Sequence, residues 1–405
     1  MPQSDRATSP WLSAAAWGVG VAAAAAALEL VLRTSTRRPM GNPFDHRLFC
    51  EMDPRLGWRK IPNFAATRST SEYTVREHFN SRGLRGPEWP IARSDAYRVL
   101  VLGDSFVEGY GVAAEDMCTH VLERELRSAS GRDVEVINGA TGGYSTDQEL
   151  LFFEGEGRVY APDLTILVFY ENDLWDNTRG NVSRAQKPRF VLGDDHTLVL
   201  ADVAAAAPVS EEWSPALTTA RLLLQRSRLW QCLRQGAMNW ALLASLAWQH
   251  AKTRFPGYRV PLNFWVWADV EPEAVTAAYR LAESLVRRLR DAVVSSGSEF
   301  LVVYAPSQPA VNDRMWRVMR THWGMPESGW SPARVGSRIG EICRRNGITC
   351  LDTTPDLRAR AADGTSVYYP LDGHWNAIGH RVAAQCIARQ ILPLVAMPRA
   401  GARMG

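Results

Sequence analysis

A serine in the first third of the chain, and an aspartate and a histidine near its end, have side chains suited to acyl transfer. Ser105 lies in the segment GDSF, and Asp372 and His374 lie in the segment DGHW. A serine hydroxyl is a weak nucleophile until a base accepts its proton, and imidazole is such a base near neutral pH. A carboxylate beside the other ring nitrogen orients the imidazole and stabilises its charged form. The three residues predict a catalytic triad if the fold brings them together.

Two further residues can donate hydrogen bonds to a negatively charged oxygen. Gly143 lies in the segment NGATGGYST, where a backbone N–H can approach a ligand closely. Asn172 lies in the segment FYENDLWDN, and its side-chain amide can donate. Each feature alone also fits an ordinary turn, with Ser105 at a strand end, Gly143 in a loop and Asn172 capping its own backbone.

Short apolar segments that alternate with helical patterns must position these residues. The predicted strands are 97–104, 134–138, 164–170, 299–306 and 348–354. Continuous apolar strands separated by helices predict a parallel sheet covered by helices on both faces. In such a sheet the functional site lies at the carboxyl ends of the strands, where Ser105, Gly143 and Asn172 fall.

The helix boundaries carry their own signals. Ser145 and Gln148 predict a capping box at the start of the helix that follows the second strand. Asn376 is the predicted N-cap of the last helix, 377–394, and His380 is predicted to have a structural role within that helix.

Composition excludes several classes of function. The chain has 405 residues with 46 basic and 43 acidic side chains, a net charge of +3, and no basic run that would indicate nucleic-acid binding. The segment GDSFVEG matches neither of the glycine-rich patterns that bind phosphate groups. The six cysteines form no CxxC pair, and Cys343 and Cys350 are either buried thiols or a disulfide.

Four segments lie outside the predicted sheet. Residues 1–10 are an N-terminal tail, and residues 11–32 are an alanine-rich apolar segment, predicted to be an uncleaved transmembrane anchor, with a cleaved signal peptide as the alternative. Residues 33–95 are predicted to be an irregular lead-in that packs on the main domain of residues 96–395. Residues 396–405 are a C-terminal tail.

Within the main domain, residues 176–270 form a tryptophan-rich insertion between the third strand and the helix before the fourth. One or two amphipathic helices are predicted inside it. The insertion is either a packed subdomain, a cap over the active site, or a surface that lies against a membrane.

The order and placement of these motifs resemble the SGNH hydrolases, also called the GDSL-type esterases and lipases, and in particular their membrane-anchored bacterial members. The resemblance implies a three-layer α/β/α sandwich with a five-stranded parallel flavodoxin-like sheet. It assigns the nucleophile to Ser105, the base to His374 and its orienting carboxylate to Asp372, although Asp-Gly-His is one residue shorter than the usual Asp-x-x-His. It also assigns an oxyanion hole to the Ser105 and Gly143 N–H groups and the Asn172 side chain.

What the resemblance implies for function is an ester hydrolase that needs neither a metal nor an organic cofactor. We expect short acyl esters, most simply acetyl esters of envelope glycans or lipids, as substrates. An O-acyltransferase acting on cell-surface polysaccharide and a non-catalytic binding domain are the alternatives. The single apolar segment and the resemblance predict an extracytoplasmic, periplasmic domain, whereas Arg33, Arg37 and Arg38 after that segment favour the opposite orientation.

Overall fold

The computed structural model describes residues 10–35, 49–70, 72–182, 185–195, 197–201, 229 and 260–397. The chain divides into two compact units. One comprises Met1–Phe44, Ser69–Thr74 and Ala207–Ala251, and the other comprises Asp45–Arg68, Val75–Ala206 and Lys252–Gly405.

The strands and helices follow one another along the chain in the order that the apolar pattern predicts for the main domain. The strands are β1 (Cys50–Asp53), β2 (Gly57–Lys60), β3 (Ala65–Ser69), β4 (Thr74–His78), β5 (Tyr97–Leu102), β6 (Val134–Asn138), β7 (Leu164–Tyr170), β8 (Asn181–Val182), β9 (Ala185–Gln186), β10 (Arg189–Leu192), β11 (Leu198–Ala201), β12 (Glu299–Ala305) and β13 (Thr349–Asp352). The helices are α1 (Pro10–Ser35), α2 (Ser105–Glu108), α3 (Cys118–Ser130), α4 (Thr146–Gly155), α5 (Asp173–Asp176), α6 (Glu273–Ser295), α7 (Gln308–Val311), α8 (Asp313–Trp323), α9 (Arg334–Arg345), α10 (Thr354–Ala361) and α11 (Ala377–Ala396).

The five predicted strands form one parallel sheet with the order β13-β12-β7-β5-β6. Alternate residues of its strands belong to two different hydrophobic clusters. Leu100 and Leu102 of β5 pack in a cluster with residues of α6 and α9, whereas Val99 and Val101 pack in a cluster with residues of α3 and α11. Because successive side chains of a strand point to opposite faces, both faces of the sheet are covered, as predicted.

The alanine-rich segment 11–32, predicted to be a transmembrane anchor, is helical as part of α1. No helix among the described residues combines the length and the apolar character of a membrane span, so the transmembrane part of the prediction is not confirmed. Alanine contributes little apolar surface per residue, and Glu29 places a carboxylate within the helix.

The lead-in, predicted to be irregular, contains two hairpins in which β1 pairs with β2 and β3 pairs with β4. Leu56, Trp58, Leu84 and Trp89 bury their side chains in the same cluster as α6. The lead-in therefore contributes strands and core residues to the second unit.

The described parts of the insertion form the hairpins β8–β9 and β10–β11 and a 3₁₀ turn at Leu262–Trp267. Trp267 of this turn is buried in the core. The amphipathic helices predicted within residues 221–255 lie outside the described residues, apart from residue 229.

Candidate active site

Ser105 is the first residue of the single-turn helix α2, and only two residues separate it from the buried strand β5. The Asp104 carboxylate caps this turn by accepting the Phe106 N–H at 2.8 Å. Gly103 must lack a side chain, because a Cβ atom there would lie 2.6 Å from the Val107 side chain. The turn thus holds Ser105 at the carboxyl edge of the sheet, as predicted.

His374 and Asp372 reach this edge from the loop before α11. His374 Nε2 lies 2.7 Å from Ser105 Oγ, and the Asp372 carboxylate accepts a hydrogen bond from His374 Nδ1. Asp372 Oδ1 also accepts the backbone N–H of His374 at 3.3 Å. The intervening Gly373 has φ of +83°, a left-handed conformation that folds the carboxylate back onto the ring two residues later. The shortened Asp-Gly-His spacing therefore still allows Asp372 to orient the imidazole.

Two backbone hydrogen bonds fix the loop that carries His374. The Tyr369 N–H donates to the His374 carbonyl at 2.8 Å, and the Gly373 N–H donates to the Tyr369 carbonyl at 2.9 Å. Asn376 then caps α11, since its side chain accepts from Ile378 and Gly379. The predicted N-cap is confirmed, and it ends the loop two residues after His374.

Aromatic rings pack against the imidazole. The ring centroids of Phe106 and Tyr110 lie 5.0 and 5.3 Å from that of His374. The His374 side chain is 15% exposed and that of Asp372 is 5% exposed. Because the pair is shielded from water, the Asp372–His374 hydrogen bond is stronger than an exposed one would be.

His380 has no part in this arrangement. It is fully buried, and its Nδ1 accepts the Cys118 N–H at 3.2 Å. Burial lowers the pKa of His380 to about 3, so the ring is neutral at physiological pH. Its contacts are those of a structural residue.

Gly143 lies in a tight turn that begins at Thr141, where the Tyr144 N–H donates to the Thr141 carbonyl at 3.0 Å. Gly143 is the third residue of this turn and has φ of +80°, the value that type II turns require at that position. The N–H groups of Gly143 and Ser105 donate to no acceptor within the described ranges of the chain. Both are therefore available to a ligand oxygen.

Asn172 follows β7 and immediately precedes the short helix α5. Its Nδ2 lies 3.3 Å from Asp176 Oδ2, and its buried Oδ1 has no hydrogen-bond partner among the described residues. The preceding Glu171 is anchored by Tyr304 and Ser307, whose hydroxyls donate to Oε1 at 2.9 and 2.8 Å. The end of β7 is thus fixed, and the long Nδ2 contact leaves the amide easy to redirect.

The predicted capping box at α4 is wrong. Ser145 is the N-cap but makes no side-chain capping bond, because its Oγ accepts from Lys187 Nζ at 2.6 Å and donates to Asp147 Oδ1 at 2.9 Å. Gln148 instead donates to the Leu56 carbonyl at 2.7 Å. A buried lysine from the insertion competes successfully for the serine hydroxyl, and the local pattern gave no sign of it.

The sequence pattern also missed the residues that surround the Gly143 turn. Trp58 and Lys60 come from the lead-in, and Glu108 is the last residue of α2. All are buried. The residues that they contact are distant in sequence. The one signal in the sequence is that Glu108 lies three residues after Ser105.

Residues 264–403 match the family described as "SGNH hydrolase-like domain, acetyltransferase AlgX". These residues, about a third of the chain, are similar to an SGNH hydrolase-like domain. The matched range includes Asp372 and His374, while Ser105, Gly143 and Asn172 lie before it. No curated protein matches the chain.

Solved structures of esterases and lipases resemble the chain at low identity. A lipase/acylhydrolase from Enterococcus faecalis is 12% identical over 73% of this chain and 96% of its own, with a TM-score of 0.36. A putative GDSL-like lipase from Parabacteroides merdae is 10% identical over 75% and 96%, with a TM-score of 0.38. A catalytic mutant of an acetylxylan esterase from Geobacillus stearothermophilus is 11% identical over 73% and 94%, with a TM-score of 0.37.

Proposed function

We propose that this protein is a serine esterase that hydrolyses short acyl esters, with acetyl as the preferred acyl group. The observation that carries the proposal is the continuous hydrogen-bonded series from Ser105 Oγ through His374 to Asp372, with 2.7 Å between Oγ and Nε2. A non-catalytic binding domain has no need for a nucleophile, a base and an orienting carboxylate in contact with one another.

In the first half-reaction, Ser105 Oγ attacks the acyl carbon while His374 Nε2 accepts the hydroxyl proton. The Asp372 carboxylate stabilises the imidazolium that forms. His374 then gives this proton to the oxygen of the departing alcohol, which leaves an acyl group on Ser105. In the second half-reaction, His374 removes a proton from water, and the hydroxide oxygen attacks the acyl carbon. Ser105 regains its proton from His374 as the carboxylic acid departs.

The tetrahedral intermediates carry a negative oxygen that needs hydrogen-bond donors. The N–H groups of Ser105 and Gly143 supply two of them in this proposal. The Asn172 amide supplies a third by turning its Nδ2 from the 3.3 Å contact with Asp176 toward the oxyanion. Such donors accelerate the reaction because they bind the charge that develops in the transition state more strongly than the neutral ester.

The preference for a short acyl group rests on the polarity of the turns around Ser105. The segment GATGGYST, which carries Gly143, consists mainly of small and polar residues, and the segment YENDLWDN, which carries Asn172, is mainly polar. A long acyl chain requires a continuous apolar groove, because each buried CH₂ group contributes about 0.8 kcal/mol. The turns themselves offer no such surface.

A chain-length series of p-nitrophenyl esters from acetate to octanoate tests the proposal. We expect kcat/KM to fall steeply with chain length, and Ser105→Ala to abolish both turnover and labelling by a fluorophosphonate. Ser337→Ala is the matched control, since this serine is exposed on α9, far along the chain from the triad. Labelling that persists in Ser105→Ala would refute the nucleophile, and a maximum at octanoate would refute the short-acyl preference.

A second candidate is an O-acetyltransferase that passes the acetyl group from Ser105 to a sugar hydroxyl. The description of the matching family, which names an acetyltransferase, favours it. The two candidates share the first half-reaction and differ in the acceptor. Incubation with p-nitrophenyl acetate and an oligosaccharide distinguishes them, because only a transferase gives a sugar product that is heavier by one acetyl group. The expected extracytoplasmic location stays a prediction.

A further inference from the structure

The Gly143 turn is held in place by residues that come from the lead-in. Trp58 of β2 donates its indole N–H to the Gly142 carbonyl at 3.1 Å. The Tyr144 hydroxyl donates to the Trp58 carbonyl at 2.6 Å, and the two rings lie 5.8 Å apart. Trp58 is 3% exposed and Tyr144 1% exposed, so water does not compete for these bonds. β2 and the turn are therefore tied together in both directions.

The planarity of the peptide bond gives this contact a direct effect on Gly143. The Gly142 carbonyl and the Gly143 N–H belong to the same trans peptide and point in opposite directions. A bond that holds the carbonyl toward Trp58 therefore holds the N–H toward the other side of the peptide plane. The left-handed φ of Gly143 alone does not fix this orientation, because glycine rotates freely.

A second set of contacts holds the other side of Gly142. The Gly142 N–H donates to Glu108 Oε2, and Glu108 is the last residue of the helix that begins with Ser105. Lys60 of β2 places its Nζ 2.9 Å from Glu108 Oε1, and both side chains are almost completely buried. Lys60 thus supplies the positive charge that a buried carboxylate requires. Tyr110 closes the remaining side, since a Cβ atom on Gly142 would lie 2.2 Å from its hydroxyl.

We propose that Trp58, together with the Lys60–Glu108 pair, positions the Gly143 N–H as an oxyanion donor, so that the lead-in is part of the active-site machinery. None of these three side chains needs to touch the substrate. The proposal rests on the function proposed above, because it assigns a cause to the geometry of that oxyanion hole.

The test compares Trp58→Phe with Trp265→Phe in the full chain. Phenylalanine retains an aromatic ring but lacks the indole N–H. Trp265 is the matched control because its Nε1 also donates to a backbone carbonyl, that of Val260, at 3.0 Å. For Trp58→Phe we expect kcat for p-nitrophenyl acetate to fall about tenfold with KM unchanged, a smaller loss than the ~10²–10³-fold that follows deletion of a donor. Trp265→Phe should change kcat less than twofold by the same reasoning.

The affinity for a phenylboronic acid distinguishes a misplaced Gly143 N–H from a general loss of stability. Phenylboronic acid forms an adduct with the serine oxygen that is tetrahedral and anionic, like the reaction intermediate. The affinity should fall by the same factor as kcat in Trp58→Phe and remain unchanged in Trp265→Phe. A loss confined to the midpoint of thermal unfolding, or an effect on KM alone, would overturn the proposal.

If Trp58→Phe does not fold, two double variants that leave no charge buried at the Lys60–Glu108 pair test whether the acceptor for the Gly142 N–H affects kcat. Lys60→Met with Glu108→Gln keeps an acceptor for the Gly142 N–H, whereas Lys60→Met with Glu108→Met removes it. We expect the first pair to exceed the second in kcat by about tenfold, again with similar KM. Equal kcat values would overturn the proposal. In every variant we compare only the part of the activity that Ser105→Ala abolishes. Activity that survives Ser105→Ala would instead show that the proposed esterase function is wrong.

Discussion

Removal of the Lys187 amine should destabilise the protein strongly and in a pH-dependent way. Lys187 Nζ donates to Asp147 Oδ1 at 2.7 Å, to Ser145 Oγ at 2.6 Å and to the Asp176 carbonyl at 2.8 Å. The Lys187 and Asp147 side chains are both 0% exposed. In Lys187→Met the Asp147 carboxylate loses its counter-charge without gaining water. Breaking a buried ion pair in this way costs about 3–5 kcal/mol of unfolding free energy.

The sign of the pH dependence follows from Asp147. Burial raises its pKa from 3.8 to about 6, although Lys187 acts in the opposite direction. Between these two pH values the folded state holds a proton that the unfolded state has released, so stability from this group is lost as the pH rises through the window. Without Lys187 the pKa of Asp147 rises further and the window widens upward. Burial raises the pKa of Glu149 and Asp173 well above their usual range, and Lys187 acts in the opposite direction on both. Its removal therefore shifts the pKa of all three carboxyl groups upward.

The assay is equilibrium urea unfolding followed by tryptophan fluorescence at pH 5 and pH 7. We expect the loss in Lys187→Met to be smaller at pH 5, where Asp147 holds a proton in both proteins, and clearly larger at pH 7. The loss reaches its full value only above the raised pKa of Asp147 in the variant. Adding Asp147→Asn should recover most of the loss at pH 7, because no charge is then left buried. Arg360→Met is the control, since its ion pair with Asp363 is exposed and contributes less than about 1 kcal/mol. A loss below about 1 kcal/mol at pH 7, or an equal loss at both pH values, would refute the reasoning.

Three further predictions concern catalysis. Asn172→Ala should lower kcat by roughly 10²–10³-fold with little change in KM if the amide serves the oxyanion, and a change in KM alone would assign it to substrate binding. Asp372→Asn should lower kcat by up to ~10⁴-fold while Ser105 and His374 remain in place, because the amide favours the wrong tautomer of the imidazole; activity near that of the unchanged protein would remove Asp372 from the triad. Gly373→Ala should lower the unfolding free energy by about 1–2 kcal/mol, since φ of Gly373 is +83°, and should also lower kcat because the Asp372 carboxylate shifts. Gly364→Ala, at φ of +85°, is the control for backbone strain alone.

The sequence by itself determined the parallel sheet and the chemistry of its edge. The run LTILVFY is almost wholly apolar and VEVIN mainly so, because both faces of these strands are buried. This pattern can be read from a single sequence. Ser105, Gly143 and Asn172 each lie within five residues of the end of such a strand, so their common edge could be predicted from the rule for parallel sheets. Asn376 as an N-cap was also predictable, since capping is a local interaction between neighbouring residues.

Only the tertiary structure decided how the edge is supported. The Gly373 conformation shows how Asp372 reaches His374 across one intervening residue, which the spacing alone left open. Lys187 occupies the Ser145 hydroxyl that the local pattern assigned to a capping box. Trp58 and Lys60 belong to a lead-in predicted to be irregular, and they meet residues more than forty positions away. A buried charge or indole N–H bonds to a polar group that the fold brings close to it. Such pairs follow no periodic pattern in the sequence, so the sequence alone does not predict them.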